Sequence, residues 1–193
     1  MRFFKANSYD IVRLWINQIG IAIFSLMLYT AVGFVEFDNG ATATMAKAGV
    51  SVFCILFYYF LVYNVAWECG AKDKIRIDGG KQSPTPARGA KMSLLANVPN
   101  FILAGLSVFF VGVYVVSSVG GFYTAFGIIN LVLRFHSSLY LGVIQALTPI
   151  SSPSVDFLVE SVLYLVIPFL SVLVTHIAYT LGTYEKRLFA TKK

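Results

Sequence analysis

The chain has 193 residues, of which 58% are hydrophobic and only 12% charged, with a mean hydropathy of +0.75. Soluble domains carry about 25% charged residues, so the composition excludes an ordinary soluble globular protein. Fifteen Lys and Arg against nine Asp and Glu give a formal charge of +6, but the basic residues fill the gaps between apolar runs, which is the mark of membrane topology and not of nucleic-acid binding.

The N-terminal segment opens with Arg2 and Lys5 and then runs apolar from Leu14 to Val35. That is about 22 residues, where a membrane span needs about 20 and the core of a secretory leader roughly 7 to 15. Glu36 and Asp38 also intervene before the small residues Ala41 to Ala43, so this segment is expected to stay as a span. A second span is expected from Ala48 to Trp67. Arg13 and Glu36 bracket the first run, Lys47 and Glu68 the second, and the two form a helical hairpin joined by the link Glu36 to Lys47. Cys54 and Cys69 fall on the second segment, roughly 22 Å apart along one helix and beyond disulfide reach. No disulfide or zinc framework is expected.

The stretch "GAKDKIRIDGGKQSPTPARGAK" from Gly70 is the one long polar segment. Its Gly79, Gly80 and Lys81 invite comparison with a phosphate-binding loop, whose pattern is G-x-x-x-x-G-K-[ST]. Ile75 stands where the first glycine belongs and Gln82 where the hydroxyl belongs, so nucleotide binding is not expected. The alternation in "KIRID" predicts a short strand or an interfacial segment ending at the paired glycines, and "SPTP" a linker. Lys72, Lys74, Arg76, Lys81, Arg88 and Lys91 outnumber Glu68, Asp73 and Asp78. They are expected to meet lipid headgroups or a partner at the inner surface.

The uncharged run from Met92 to Leu133 is too long for one span, and "SSVGG" at Ser117 to Gly121 supplies a turn through its paired glycines. The span before that turn places Ser93, Asn97, Asn100, Ala104 and Ser107 in helical register, with Pro99 releasing the Leu95 carbonyl. Gly121 to Val155 admits two readings. As one helix it would align Gly127, Asn130, Arg134, Ser138, Gln145 and Thr148 on a stripe; broken at "RFHSS" it gives two short pieces, Phe122 to Leu133 and Leu139 to Leu147. The broken reading is preferred, as a re-entrant pair or two thin spans, with its backbone break covered by protein or a water-filled cavity. The last span, Phe157 to Leu181, sets Glu160, Tyr164, Pro168, Ser171, Thr175, Tyr179 and Gly182 on one inward face.

Basic residues are retained on the cytoplasmic side. Arg2, Lys5 and Arg13 precede the first span, the loop cations follow the second, and the link between them has only Lys47. Trp15 and Trp67 then fall at the same inner interface. The tail carries Lys186, Arg187, Lys192 and Lys193 and should be cytoplasmic too. An internal echo agrees: "VAWECGAKDK" from Val65 and "IAYTLGTYEK" from Ile177 share an aliphatic residue, Ala, an aromatic, Gly, an acid and Lys at matching places. Convergence at inward helix ends and duplication both put the two stretches on one side.

The fold expected is therefore all-α: a polytopic helical membrane protein with four full spans plus two short helices, six hydrophobic segments in all. Residues 1–193 form a single integral membrane domain with a cytoplasmic loop at 68–91 and a short basic tail at 183–193. Both termini are expected to be cytoplasmic, and the expected setting is a bacterial cytoplasmic membrane.

Arg134, Glu160 and His176 are the ionisable residues of the later apolar regions, and such residues are costly in lipid. His176 lies about 24 Å along a straight helix from Glu160 and on another face. No Ser, His and acid constellation has catalytic spacing, and neither histidine has a zinc-type ligand cluster. No catalytic residue, metal or cofactor is expected, and the chain is not expected to be an enzyme. Two functions remain. One is a non-catalytic accessory, assembly or regulatory membrane subunit, which small size and the lack of an ATPase motif favour. The alternative is a small-molecule transporter or substrate-capturing subunit with a polar intramembrane cavity lined by Asn97, Asn100, Arg134, Glu160, Tyr164 and Thr175. Expected partners are membrane lipids and membrane-protein subunits or a second copy of the chain; no nucleic acid is expected, and the small-molecule ligand is unspecified.

Overall fold

A computed structural model describes residues 2–83, 85, 87–148 and 153–186. Among these every regular element is helical: α1 Arg2–Gly33, α2 Gly40–Asp78, α3 Arg88–Ala96, α4 Val98–Ser117, α5 Gly120–His136, a 3-10 turn Ser138–Tyr140, α6 Leu141–Leu147, α7 Pro153–Val166 and α8 Pro168–Thr183. Four stretches are long and apolar enough to cross a membrane, Asn7–Gly33, Gly40–Asp78, Val98–Ser117 and Val155–Thr183. Helix α5 and the piece Ser138–Leu147 form a pair bent by 83°. By length and composition these helices are compatible with an integral membrane protein. The break at "RFHSS" is present, and the single-helix reading of 121–155 is not.

Sequence chemistry explains several of the helix ends. Asn39 caps α2, its Oδ1 accepting from the Thr42 backbone N–H at 2.8 Å, which satisfies one of the amides a helix start leaves open. Pro99 and Pro168 cannot donate to a carbonyl four residues earlier, and the helices are interrupted just ahead of them, at Asn97 and Ile167. The turn at "SSVGG" is where it was expected, but its left-handed residue is Ser118, with φ 55. Gly120 and Gly121 instead open α5.

Of the two readings of "KIRID", a short strand or an interfacial segment, the strand is absent. Helix α2 continues to Asp78, because extending a formed helix costs far less than nucleating new structure and each added turn brings an ion pair. Lys72 meets Glu68 at 2.7 Å and Lys74 meets Asp78 at 2.7 Å, both at helical spacing. At roughly 58 Å for its 39 residues, α2 is far longer than a hydrocarbon core of about 30 Å. The expected loop at 68–91 therefore includes the helical end of α2 and the start of α3, with Gly80 at φ 69 in the connection between Asp78 and Arg88.

Two compact units share the chain. The first comprises Met1–Asn17, Tyr59–Asn97 and Phe169–Lys193. In it α2 and α8 cross with their backbones nearly touching. A Cβ on Gly70 would overlap the Tyr179 carbonyl oxygen and stand 3.1 Å from the Gly182 Cα; one on Gly182 would overlap the Trp67 carbonyl oxygen and stand 3.0 Å from the Ala71 nitrogen. Each glycine takes the space of the other's missing side chain, the small-residue packing that membrane helices favour. Trp67 Nε1 donates to the Lys186 carbonyl at 2.7 Å, and Tyr179 donates through its hydroxyl to Asp73 Oδ2 at 2.7 Å. Arg187 to Lys193 lie outside the described residues.

The second unit comprises Gln18–Tyr58 and Val98–Pro168, with α4 packed on α5 and α7. The expected inward faces are buried in both units: Ser93 and Asn97 on α3 and at its end, Asn100, Ala104 and Ser107 on α4, Glu160 and Tyr164 on α7, Ser171, Thr175 and Tyr179 on α8. Serines hold the second unit's helices together. Ser107 and Ser161 share a hydroxyl bond at 2.8 Å between α4 and α7.

Candidate functional site

The 83° bend after His136 interrupts the helical hydrogen-bond ladder, and polar side chains tie the break to its neighbours. Ser25 Oγ donates to the Ser138 carbonyl at 3.2 Å, Ser138 Oγ donates to the Ala22 carbonyl, and Ser51 Oγ accepts from the Gly142 amide at 2.8 Å. Ser137 Oγ donates to Asn100 Oδ1 at 3.2 Å. Gly142 is glycine because a Cβ there would overlap the Lys47 carbonyl. The break is therefore clamped to α1, α2 and α4.

That clamp shapes a pocket of about 390 Å³, within the usual range for small-ligand sites. Gly142, Gln145, Ala146 and Thr148 come from α6 and its end, Thr44 and Lys47 from α2, Arg134 from α5 and Glu160 from α7. Arg134 and Glu160 make a paired contact, Nε to Oε1 at 2.8 Å and Nη2 to Oε2 at 2.7 Å. The two-point geometry fixes both side chains. The Glu160 side chain is 5% exposed and that of Arg134 32%, so the guanidinium faces the pocket over a carboxylate that is spent on it. Tyr29 donates to Gln145 Oε1, and the Lys47 ammonium lies over the Tyr29 ring, 5.2 Å from its centroid. Among the described residues no carboxylate pairs with Lys47. With Arg134 and Glu160 cancelling, the pocket holds one uncompensated positive charge and the Gln145 amide; the Thr44 and Thr148 hydroxyls in its wall donate to the Gly40 and Ile144 carbonyls, at 3.0 and 2.8 Å. Arg134 also lines a smaller cavity of about 230 Å³ with Tyr123, Phe126, Gly127, Asn130, Leu131 and Phe157.

Of the six residues expected to line a cavity, Arg134 and Glu160 do so. Asn100 is buried against the break and accepts from Ser137, and Tyr164 is buried on α7 with no hydrogen bond to its hydroxyl among the described residues. Asn97 and Thr175 belong to the first unit, where each donates to its own helix: Asn97 Nδ2 to the Ser93 carbonyl at 2.9 Å and Thr175 Oγ1 to the Ser171 carbonyl at 2.6 Å. Residue-by-residue reading missed Lys47, Thr44 and Gly142 as pocket residues. Lys47 carried a signal, as the lone basic residue of its link. Gln145 and Thr148 shared the stripe with Arg134, and the three still converge although the helix between them is broken.

The loop cations are less uniform than their charges suggest. Lys72 and Lys74 are paired within α2, Arg88 Nη1 reaches both Asp73 oxygens at 2.6 and 2.5 Å, and Lys91 sits 5.9 Å from the Phe3 ring centroid. Arg76 stands 3.9 Å from Asp73, and Lys81 is exposed. Arg13 also meets Glu68 at 2.9 Å. Both cysteines are free and buried, and no three His, Cys, Asp or Glu among the described residues gather to hold a metal ion. Comparison with protein-family models, with curated proteins and with solved structures gave no match.

Proposed function

We propose that the protein is a non-catalytic integral membrane protein that captures a small organic anion, as the substrate-binding part of a transport system. The observation that carries this reading is Lys47: a cation with no carboxylate partner among the described residues, facing a pocket whose other two charges neutralise each other. A carboxylate or phosphate on the ligand would supply the missing charge, Arg134 a second donor, and the side-chain amide nitrogen of Gln145, whose oxygen is held by Tyr29, an orienting hydrogen bond. The basic-residue bias supports cytoplasmic termini and a cytoplasmic loop after α2. On this reading the α1–α2 link, and with it Lys47, lies on the outer side of the membrane. The bent α5–α6 pair then enters and leaves on that side as a re-entrant element, the kind of broken helix that builds transport sites.

The accessory or regulatory reading draws on a different observation. Much of the buried polarity, Ser107 with Ser161 and Ser25 with Ser138, is consumed in packing, as in a bundle whose polar residues serve only assembly.

Full-length protein in nanodiscs, heated with glutamate, citrate or inorganic phosphate in turn, separates the two. Capture predicts a saturable rise in unfolding temperature with at least one anion, since a ligand at about 100 times its Kd adds about 2.7 kcal/mol. The rise should vanish in Lys47→Met. No stabilisation by any of these anions, with no bound small molecule in native mass spectrometry, would return the protein to the accessory class.

A further inference from the structure

The first unit holds a second polar cavity that the anion pocket does not use. It measures about 260 Å³ and is lined by Phe3, Asn7, Arg76, Gln82, Thr85 and Arg88. Three elements build it: the start of α1, the last turn of α2 and the loop leading into α3. The turn at Gly80 brings the loop back on α2, with the Lys81 amide on the Arg76 carbonyl at 2.9 Å. Gln82 and Thr85 are thereby set beside the two arginines.

Charge does not balance there. Asp73, 1% exposed at its side chain, is the one carboxylate that Arg88 and Arg76 share. It already accepts from Arg88 and from the Tyr179 hydroxyl, and Arg76 only approaches it at 3.9 Å. Two guanidiniums over one carboxylate leave a surplus of one positive charge. Two buried polar atoms in the same lining have no partner among the described residues. Arg88 Nε is a donor, and Asn7 Oδ1 is an acceptor on a residue only 5% exposed. The Asn7 amide nitrogen is already spent on the Phe3 carbonyl at 2.8 Å, which fixes which end of the amide is left over. Both atoms are covered in this structure; since buried polar groups are nearly always satisfied, a small side-chain movement opening them to the cavity would let a ligand accept from arginine and donate to the amide oxygen. A phosphate ester with a neighbouring hydroxyl or ammonium has both properties, and arginine forks match phosphate oxygens.

We propose that this cavity binds a phosphate ester through Arg76 and Arg88, with Asn7 receiving a hydroxyl or ammonium proton from the ester's polar group. The same chemistry comes from two sources, the headgroup of an anionic phospholipid or a soluble phosphate such as glycerol 3-phosphate. The surrounding loop cations Lys81 and Lys91 raise the local anion concentration for either.

The test is native mass spectrometry of the full-length protein released from nanodiscs of phosphatidylcholine with phosphatidylglycerol, alongside titration with glycerol 3-phosphate. Arg76→Gln is the main variant, because Arg76 is 57% exposed at its side chain and its loss should leave the unfolding temperature unchanged. Asn7→Leu removes the acceptor, and Lys81→Gln removes an equal charge from outside the lining. A saturable complex weakened roughly tenfold or more by Arg76→Gln and by Asn7→Leu, but not by Lys81→Gln, is the expected result. Retained phosphatidylglycerol that glycerol 3-phosphate fails to displace identifies the lipid; displacement, or binding of glycerol 3-phosphate alone, identifies the soluble ester. Equal weakening by Lys81→Gln and Arg76→Gln, or binding that never saturates, would reduce the cavity to part of a diffuse basic surface and overturn the proposal.

Discussion

Gly70 and Gly182 each lie against the backbone that carries the other: Gly70 on the carbonyl of Tyr179, Gly182 on the carbonyl of Trp67. The relationship is reciprocal, and it joins the two stretches that echo one another in sequence. Trp67 corresponds to Tyr179 in that echo, and both aromatics reach across the crossing, to Lys186 and to Asp73 respectively. At the same offset the identities continue back along the helices, pairing Val50 with Val162, Ile55 with Ile167, Phe57 with Phe169, Leu61 with Leu173 and Val62 with Val174.

This crossing predicts that Gly70→Ala and Gly182→Ala destabilise the protein. The new methyl would meet backbone, which cannot rotate away, and overpacking of this kind costs about 1–3 kcal/mol. Gly49→Ala and Gly105→Ala are the controls, since nothing lies within 4 Å of a Cβ at either position. There the change should be neutral or stabilising by up to about 1 kcal/mol through helix propensity. Thermal unfolding in one detergent, compared across the four variants, checks the contrast; four equal shifts would remove the close crossing.

A second prediction concerns the clamp on the broken helix. Ser51→Val leaves the Gly142 amide buried without an acceptor and should cost about 1–3 kcal/mol. Ser51→Thr keeps the hydroxyl and should recover most of the loss. Hydrogen exchange at Gly142 gives a local readout: its protection should fall in the valine variant and persist in the threonine variant.

How much of this was legible follows from what each feature requires. The break at "RFHSS" was readable because two ionisable residues and two serines interrupt an apolar run, and the inward faces of α4, α7 and α8 were readable because three- and four-residue spacing is a local property. The clamp was not. Ser25 and Ser138 are 113 residues apart, and nothing local marks a serine whose partner is a distant carbonyl. Asn97 and Thr175 were assigned to the cavity because a polar residue on an inward face reads alike whether it lines a pocket or bonds its own helix. The strand reading of "KIRID" failed for the opposite reason: its alternation is a strand pattern, but the pairs Lys72 with Glu68 and Lys74 with Asp78 belong to helical spacing and outweigh it.

Threading yields a third prediction, tested by labelling single cysteines in intact cells with an impermeant thiol reagent. Cys69 is buried and is a poor probe of its own side. Lys81→Cys, Lys186→Cys, Asn39→Cys and Ser118→Cys replace exposed residues. In a background without native cysteines, the first two should label only after the cytoplasmic face is opened, the last two from outside. Labelling of Lys186→Cys from outside would mean that the α5–α6 pair crosses the membrane and is not re-entrant.

The Arg134–Glu160 pair provides the sharpest separation of packing from capture. Removing one partner of a buried pair typically costs about 3–5 kcal/mol, because the other charge is left uncompensated. Here Glu160 is the more buried, at 5% exposure against 32% for Arg134. Arg134→Leu should therefore be the more damaging single change, and Glu160→Leu the milder, its orphaned guanidinium being able to reach water in the pocket. The double variant leaves no buried charge and should be close to wild type or more stable, since apolar replacement of such pairs is often neutral or stabilising by about 1–4 kcal/mol. If the pair only packs helices, the double variant should retain whatever anion the wild type binds. If it forms part of the capture site, the double variant should fold, melt normally and bind the anion more weakly, because the donor that assists Lys47 is gone. A stable double variant with undiminished anion binding would take Arg134 and Glu160 out of the site and leave Lys47 as its only charged member.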